Sequence, residues 1–443
     1  MSKSKKIVII LTTLSISLCL IALLIYTILN FKENNNVLNY KYVGIPSNHY
    51  IAVSDGKKYG YIKENGEPVT SLKYDVIDSM WVENDILNLD NFKFTDGLAE
   101  YTNDIYYGLL NENGKEIIDP IYNSIEVINK NLIIVSNGNR FYFINSNNKK
   151  LFNQDFEMIT RIDNLDNIFI VSNEGKQALI NSKGIILTEY KYDSIYEFVD
   201  TTNNNYVFCA TYGKNADIYL YNSETLSFTK LKEFDNYTPT IFYNNNVYLV
   251  NQDELYSIYN IMTNDLITLK NNYVALGPFI NSIALAIDNN DLVGYINEKE
   301  EIVIDFQYDY NSASNFTDDG LAVVGKNNLV GVINTDNEQV LDFNYLEINI
   351  INNDRFLVLD QNDKKYIIDA RENKVTDDNY DDIELTDFSD TFIVSKASNN
   401  RTLYGIINSN GEEIIPVEYE DIQISNDYFV LKSKENEYYL EKR

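Results

Sequence analysis

Residues 329–348 read LVGVINTDNEQVLDFNYLEI. Gly331 opens a short run in which apolar residues occupy the strand, Asn334 begins a polar break, and Val340 and Leu341 resume the apolar pattern. Two short apolar runs joined by an Asn-rich tetrapeptide predict a β-hairpin. Tyr345 and Ile348 follow at a spacing that turns out to be general.

The same frame recurs along the chain. Gly60, Gly108, Gly294, Gly331 and Gly405 each precede such a run, and Tyr142, Ala178, Tyr219, Ser257, Tyr366 and Tyr438 hold the same place elsewhere. These eleven anchors lie 33 to 48 residues apart, about 38 on average. Fourteen residues after the anchor stands Tyr74, Tyr122, Tyr192, Tyr308, Tyr345, Tyr380 or Tyr419, with Phe156 in one unit. Seventeen residues after it stands Ile77, Ile125, Ile159, Ile195, Ile348, Ile383 or Ile422. A fixed period of this length marks tandem repeats rather than independent domains.

Each part of the unit has a physical role. Glycine at the anchor admits a close approach by another backbone or ring. Asn111, Asn145, Asn181, Asn222, Asn260, Asn297, Asn334 and Asn408 start the turn, where an Asn side chain bonds its own backbone. Gly114, Gly184 and Gly411 supply the left-handed residue that closes it. Pro120 and Pro416 are expected to end the second strand, since proline donates nothing to a ladder. A further strand carries the Ile and another precedes the next anchor, giving about four strands per unit. Such a small sheet leaves a face uncovered, so neighbouring units must stack their Tyr and Ile rows. The fold class is therefore all-β, in small antiparallel sheets.

The residues D-G-L-A at Asp96–Ala99 and Asp319–Ala322, leading to Gly108 and Gly331, resemble the WG repeat (WG containing repeat) found in many bacterial proteins. The Trp expected before the glycine is replaced by Tyr59, Tyr107, Val293, Val330 or Tyr404, so the chain resembles a diverged, membrane-anchored member. The likeness spans residues 40–443 and is weak over about 206–285. It implies a β-rich repeat, common on secreted or membrane proteins, and no shared enzymatic activity.

The last residues form only the front half of a unit, while Tyr42 and Ile45 near the start keep the spacing of Tyr192 and Ile195. Halves that complete one unit close propellers, so a propeller-like toroid is favoured. Eleven blades exceed the usual range of about four to eight. Two rings or an open β superhelix are the alternatives.

Composition sets further limits. With 36 Tyr and 21 Phe the chain has ample material for a core. The net charge is −30, and residues 1–31 hold three Lys and no acid, leaving about −33 for the rest. That field repels phosphate backbones, so no nucleic-acid partner is expected. Cys19 and Cys209 are the two cysteines, and His49 is the one histidine, too few for a zinc or redox site.

Residues 7–29 form an uncharged 23-residue run after Lys3, Lys5 and Lys6. The length suits a transmembrane signal-anchor helix, and the lysines favour a cytoplasmic N-terminus. The expected order is a tail at 1–6, the helix at 7–29, a spacer at 30–39 and an extracellular repeat region at 40–443, on a single-pass cell-membrane protein. Lipidation of Cys19 is disfavoured because no small residue precedes it.

Paired acids occur at Asp318-Asp319, Asp377-Asp378, Asp381-Asp382 and Glu412-Glu413. A carboxylate pair of unequal pKa could cleave glycosides, but these acids fall at turns and strand edges, where solvated rims are the simpler reading. His49 reads as a surface residue and Cys209 as a small core residue. No nucleophile elbow, phosphate loop, zinc motif or calcium loop is present. Trp81, Tyr101, Tyr106 and Tyr237 are candidates to stack on sugars or pack on a partner if they lie on an open surface. The expectation is a non-catalytic cell-surface binding or scaffold protein, not an enzyme and without cofactor or metal. Its partner would be a protein or a cell-wall polymer; the alternative is a carbohydrate-active enzyme using a carboxylate pair.

Overall fold

A computed structural model describes residues 38–82, 86–200, 204–376, 380–398, 401–433 and 437–443, with the side chains of 79, 81, 82, 86, 199 and 200 left aside. The expected helix at 7–29, its preceding tail and residues 30–37 of the spacer lie outside these residues. Among the described residues, no helix is long and apolar enough to cross a membrane.

The described chain is built almost wholly of short antiparallel strands in sheets of three or four. Each of the eleven anchors lies on a strand of its own sheet, and the sheets are numbered 1 to 11 accordingly. Sheets 7 and 8, anchored at Gly294 and Gly331, are joined by the single pair Asp309 and Gly325. A two-stranded ribbon, Trp81–Val82 with Ile86–Leu87, is added after sheet 1. The chain divides into two compact units. One takes the described residues up to Ile133, Ser146–Asn148 and Glu418–Arg443; the other takes Ile134–Asn145 and Lys149–Val417.

The unit of sequence and the unit of structure are out of phase. In sheet 10, Ile383 pairs with Val394, which pairs with Gly405. In sheet 9, Ile348 pairs with Val358 and Val358 with Tyr366. The Ile therefore stands on the first strand of one sheet, while the Tyr three residues earlier ends the last strand of the sheet before it. Anchor-to-anchor units, taken as single sheets from the sequence, are split between two. The shift has a packing reason: Tyr-x-x-Ile is the link between sheets, and both side chains fall into the space the sheets share.

That space is the core. Tyr345 and Ile348 are buried with Val330 and Val332 of sheet 8 and Phe356 and Val358 of sheet 9. Tyr192 and Ile195 are buried with Leu179 of sheet 4 and Phe208 of sheet 5. Each buried aliphatic side chain contributes about 1.5–3 kcal/mol, which a lone sheet with an open face could not collect. The tyrosine hydroxyls explain why Phe rarely serves. Tyr308 Oη donates to Asn337 Oδ1 at 2.7 Å and Tyr345 Oη to Glu372 Oε2 at 3.1 Å, each reaching the turn of the next sheet. Tyr122 likewise reaches Asn148.

The hairpin turns follow the sequence reading. Asn334 Oδ1 accepts from the N–H groups of Asp336 (3.0 Å) and Glu338 (2.8 Å), and Gly114, Gly184 and Gly411 have φ of 70°, 79° and 75°. Proline departs from it. The strand Glu116–Tyr122 runs through Pro120, and Glu413–Tyr419 through Pro416. Between the pairs Tyr107–Tyr122 and Leu109–Ile118 this strand uses four residues against two, a bulge that lifts Pro120 out of the ladder. The missing N–H is not needed there.

The bulge also accounts for the anchor glycine. A Cβ on Gly108 would lie 2.5 Å from Ile118 O, and one on Gly405 2.7 Å from Ile415 O. Gly294 and Gly331 meet the carbonyls of Ile304 and Leu341 at 2.8 Å in the same way.

In the first unit the two ends of the described chain pair. Leu38 N–H donates to Tyr438 O at 2.9 Å, Tyr438 N–H returns to Leu38 O at 3.1 Å, and Tyr438 Oη donates to Lys41 O. Leu38, Val43 and Val53 are buried with Val430 and Tyr438. The alignment of this end needs correction: Val43 pairs with Val53 and Val53 with Gly60, so Tyr40 and Val43, not Tyr42 and Ile45, take the repeat positions.

Candidate functional site

Repeat positions carry the fold, so functional residues are sought where one unit departs from the rest. The first strand of most sheets begins one residue before its Ile, and its third residue is Glu126, Thr160, Asn349, Glu384 or Gln423 in sheets 3, 4, 9, 10 and 11. These are polar and reach solvent. Sheet 5 places Tyr196 there, and 52% of it is exposed. Nothing in the repeat requires an aromatic ring at that position.

Tyr196 lines a cleft of about 530 Å³ between the first strands of sheets 5 and 6, Ser194–Asp200 and Tyr237–Tyr243. Alternation puts Ile195 on the opposite face and Phe198 on the same face, where it stacks on Phe242 at 5.6 Å. Tyr237 forms another wall, packed on Phe234 at 5.4 Å. Thr211, Lys214, Asn215, Thr238 and Thr240 add hydroxyl, ammonium and carboxamide groups. The related cleft between sheets 9 and 10 is lined by Glu347, Asn349, Lys365 and Glu384, with no aromatic residue.

The other face of sheet 5 holds a second departure. Asp217 is fully buried, two residues before the anchor Tyr219. Lys191 Nζ lies 3.0 Å from Oδ2, Lys230 Nζ 3.1 Å from Oδ1, and Tyr192 Oη donates to Oδ2 at 2.6 Å. Tyr192 and Tyr219 share a further hydroxyl contact at 2.5 Å. Burial pushes the carboxyl pKa up, but the bonds from Tyr192, Lys191 and Lys230 outweigh it and hold the group below its ordinary range. Burial and the carboxylate together raise the Tyr192 phenol well above its usual value. This cluster is a closed structural network, with each polar group facing another.

In the first unit, Glu100 lies in sheet 2 with Tyr61 Oη donating to its backbone carbonyl. Burial first, then the neighbouring Glu126, push its pKa up to about 8. Because both causes penalise only the ionised form, the carboxyl costs nothing below its unfolded pKa, and stability falls as pH rises from that value through the folded one. Replacing Glu100 by Gln should therefore stabilise the fold at about pH 9 relative to wild type and do little at about pH 5. Urea midpoints at the two pH values check this, and equal effects at both would refute it.

The remaining candidates have structural settings. Asp318 and Asp319 are exposed in the turn before sheet 8. Asp381 accepts from Ala397 N–H at 2.5 Å, Asp382 pairs with Lys365 at 3.1 Å, and Glu412 accepts from Asn408 Nδ2 at 2.8 Å. Asp377-Asp378 lies outside the described residues, as does the side chain of Trp81. His49 is 88% exposed, 3.2 Å from Glu64. Cys209 is buried among Val207, Ile218 and Val247, and burial raises its thiol pKa to about 12. Tyr101, considered above as a surface ring, is instead 4% exposed and packs on Tyr74 at 4.8 Å. Tyr106 is exposed, and Tyr237 faces the cleft. Among the described residues no group of three His, Cys, Asp or Glu side chains could hold a metal ion.

Comparison with known families agrees with the repeat frame. The WG containing repeat family matches residues 59–85, 107–141, 294–329 and 404–438, each stretch starting at an anchor glycine or one residue before it. No curated protein matches the chain. Among solved structures, the chain is similar to the computationally designed Ika8 protein at 13% identity, over 72% of this chain and 95% of that one, with a TM-score of 0.31. It is similar to Sqt1 of Saccharomyces cerevisiae at 14%, over 72% and 94%, also at 0.31. BamB from Moraxella catarrhalis follows at 11%, over 69% and 96%, at 0.26. Scores this low carry no argument about fold or function.

Proposed function

We propose that this repeat-containing β protein is a non-catalytic binding or scaffold protein whose ligand seats in the cleft between sheets 5 and 6. The observation that carries the reading is Tyr196, an exposed ring at a position where five other sheets place polar side chains. Of the acids considered for catalysis, Asp381, Asp382 and Glu412 are engaged in backbone or side-chain contacts at strand edges and turns, which favours binding over turnover.

The repeat region stands outside the cell membrane, held by a helix at 7–29. The uncharged run and the lysines before it support this address.

A photoreactive amino acid at position 196 of the full chain, in living cells, should cross-link one surface component that the same residue at position 106 does not. Equal products from the two positions, or none from 196, would remove the cleft from consideration. A membrane-impermeant amine reagent added to intact cells should label the repeat region; labelling only after lysis would overturn the external address.

A further inference from the structure

We infer that the occupant of the Tyr196 cleft is a neutral polysaccharide, an inference that rests on the cleft being the binding site. Tyr196 presents an exposed aromatic ring against which the C–H face of a pyranose can lie, and Tyr237 supplies a second ring in the same cleft. The other walls match the hydroxyl rim of a sugar. Thr238 carries a hydroxyl; the hydroxyls of Thr211 and Thr240 donate to Ser194 O at 3.3 Å and Tyr248 O at 3.2 Å and keep lone pairs to accept with; and Asn215 uses its Oδ1 to accept from Asn236 N–H at 3.0 Å while its amide group adds donors. A volume of about 530 Å³ lies within the range of sites for small ligands, which suits a short segment of a chain held at one point.

Charge selects among polymers. The lining has one ammonium, Lys214, and one carboxylate, Glu197, so the local balance is near zero. The chain as a whole carries −30, a field that opposes a polyanion approaching the site. A polycation would be drawn to the surface at large but would find no carboxylate pair in this cleft. A neutral polymer meets neither obstacle. The related cleft between sheets 9 and 10, with Glu347, Lys365 and Glu384 in place of rings, lacks the stacking surface and serves as an internal contrast.

The test is affinity electrophoresis of the full chain in detergent, through gels containing a soluble β-glucan, a mannan, a galactan or, as the polyanion, polygalacturonate. At least one neutral polymer should retard the protein. Tyr196→Ala should weaken the retardation about tenfold or more, Tyr196→Phe should retain it, and Tyr106→Ala should leave it unchanged. Because Tyr196 is exposed, Tyr196→Ala should unfold at the wild-type temperature, so loss of binding is not loss of fold. Retardation by none of the neutral polymers, or by polygalacturonate alone, overturns the inference, as does full binding by Tyr196→Ala. If position 196 cross-links a protein and no neutral polymer binds, the cleft stands as the binding site and the polysaccharide does not. If position 196 cross-links nothing, both fall.

Discussion

Asp217→Ala is expected to cost about 2–4 kcal/mol of stability at neutral pH, because removing one partner of a buried ion pair strands the others. The carboxylate is inaccessible to solvent and receives Lys191, Lys230 and the Tyr192 hydroxyl, all within 3.1 Å. The lysine side chains are 31% and 38% exposed, so they can turn partly to water, which keeps the effect toward the lower part of the range for fully buried pairs. Tyr192 cannot. Its ring is locked in the seam between sheets 4 and 5, and its hydroxyl would keep only Tyr219. Asp217→Asn, which preserves shape and one acceptor, should cost less than the alanine.

The pH dependence follows from the direction of the shifts. Asp217 is held below the ordinary carboxyl range, so its contribution is present above the unfolded pKa and lost as pH falls through the folded one. Lys230 is held above its ordinary range despite burial, by Glu233 and Asp217, so its share persists until strongly alkaline pH. The difference between wild type and Asp217→Ala in urea midpoints should thus be level across the neutral range and shrink in acid. A difference that grew in acid would show that the ion cluster is not what the substitution removed.

Gly108→Ala should destabilise by about 3 kcal/mol, at the upper end of what overpacking normally costs. The added carbon would meet the Ile118 carbonyl oxygen at 2.5 Å and the Tyr101 ring at 2.7 Å. Neither can yield easily. Ile118 pairs with Leu109 beside the bulge, and Tyr101 is buried against Tyr74 in the core of sheets 1 and 2. Gly138→Ala is the control: its φ of 65° makes any side chain strained, by about 1 kcal/mol, yet open space surrounds it. Thermal melts should separate the two clearly. Equal losses would mean that backbone conformation, not the bulged carbonyl, explains the anchor glycine.

The repeat was legible without coordinates because its signals are local or periodic. Asn334 bonding its own turn and Gly411 at positive φ are properties of four or five consecutive residues. Tyr345 and Ile348 were recognisable as a seam because a constant offset behind a hairpin leaves little else for them to do. What offsets could not show was the phase. Spacing from Gly331 to Tyr345 is the same whether both lie in one sheet or the chain crosses to the next sheet three residues later. Only the hydrogen-bond ladder distinguishes these. The same limit misplaced Pro120, since a bulge is defined by the partner strand, and misaligned Tyr42, whose true counterpart sits two residues away.

The amino-acid order by itself determined that this chain forms small antiparallel sheets in tandem, where each hairpin begins, and that the tyrosines and isoleucines at fixed offsets form the seam, because hairpin signals are local and the offsets are periodic. Tertiary structure alone decided that Asp217, Lys191 and Lys230 meet, that Leu38 pairs with Tyr438, and that Tyr101 is covered while Tyr196 is not. Those outcomes depend on which strand faces which. Residues 13 to 400 positions apart become neighbours only when strands pair and sheets stack, and no interval counted along the chain records that.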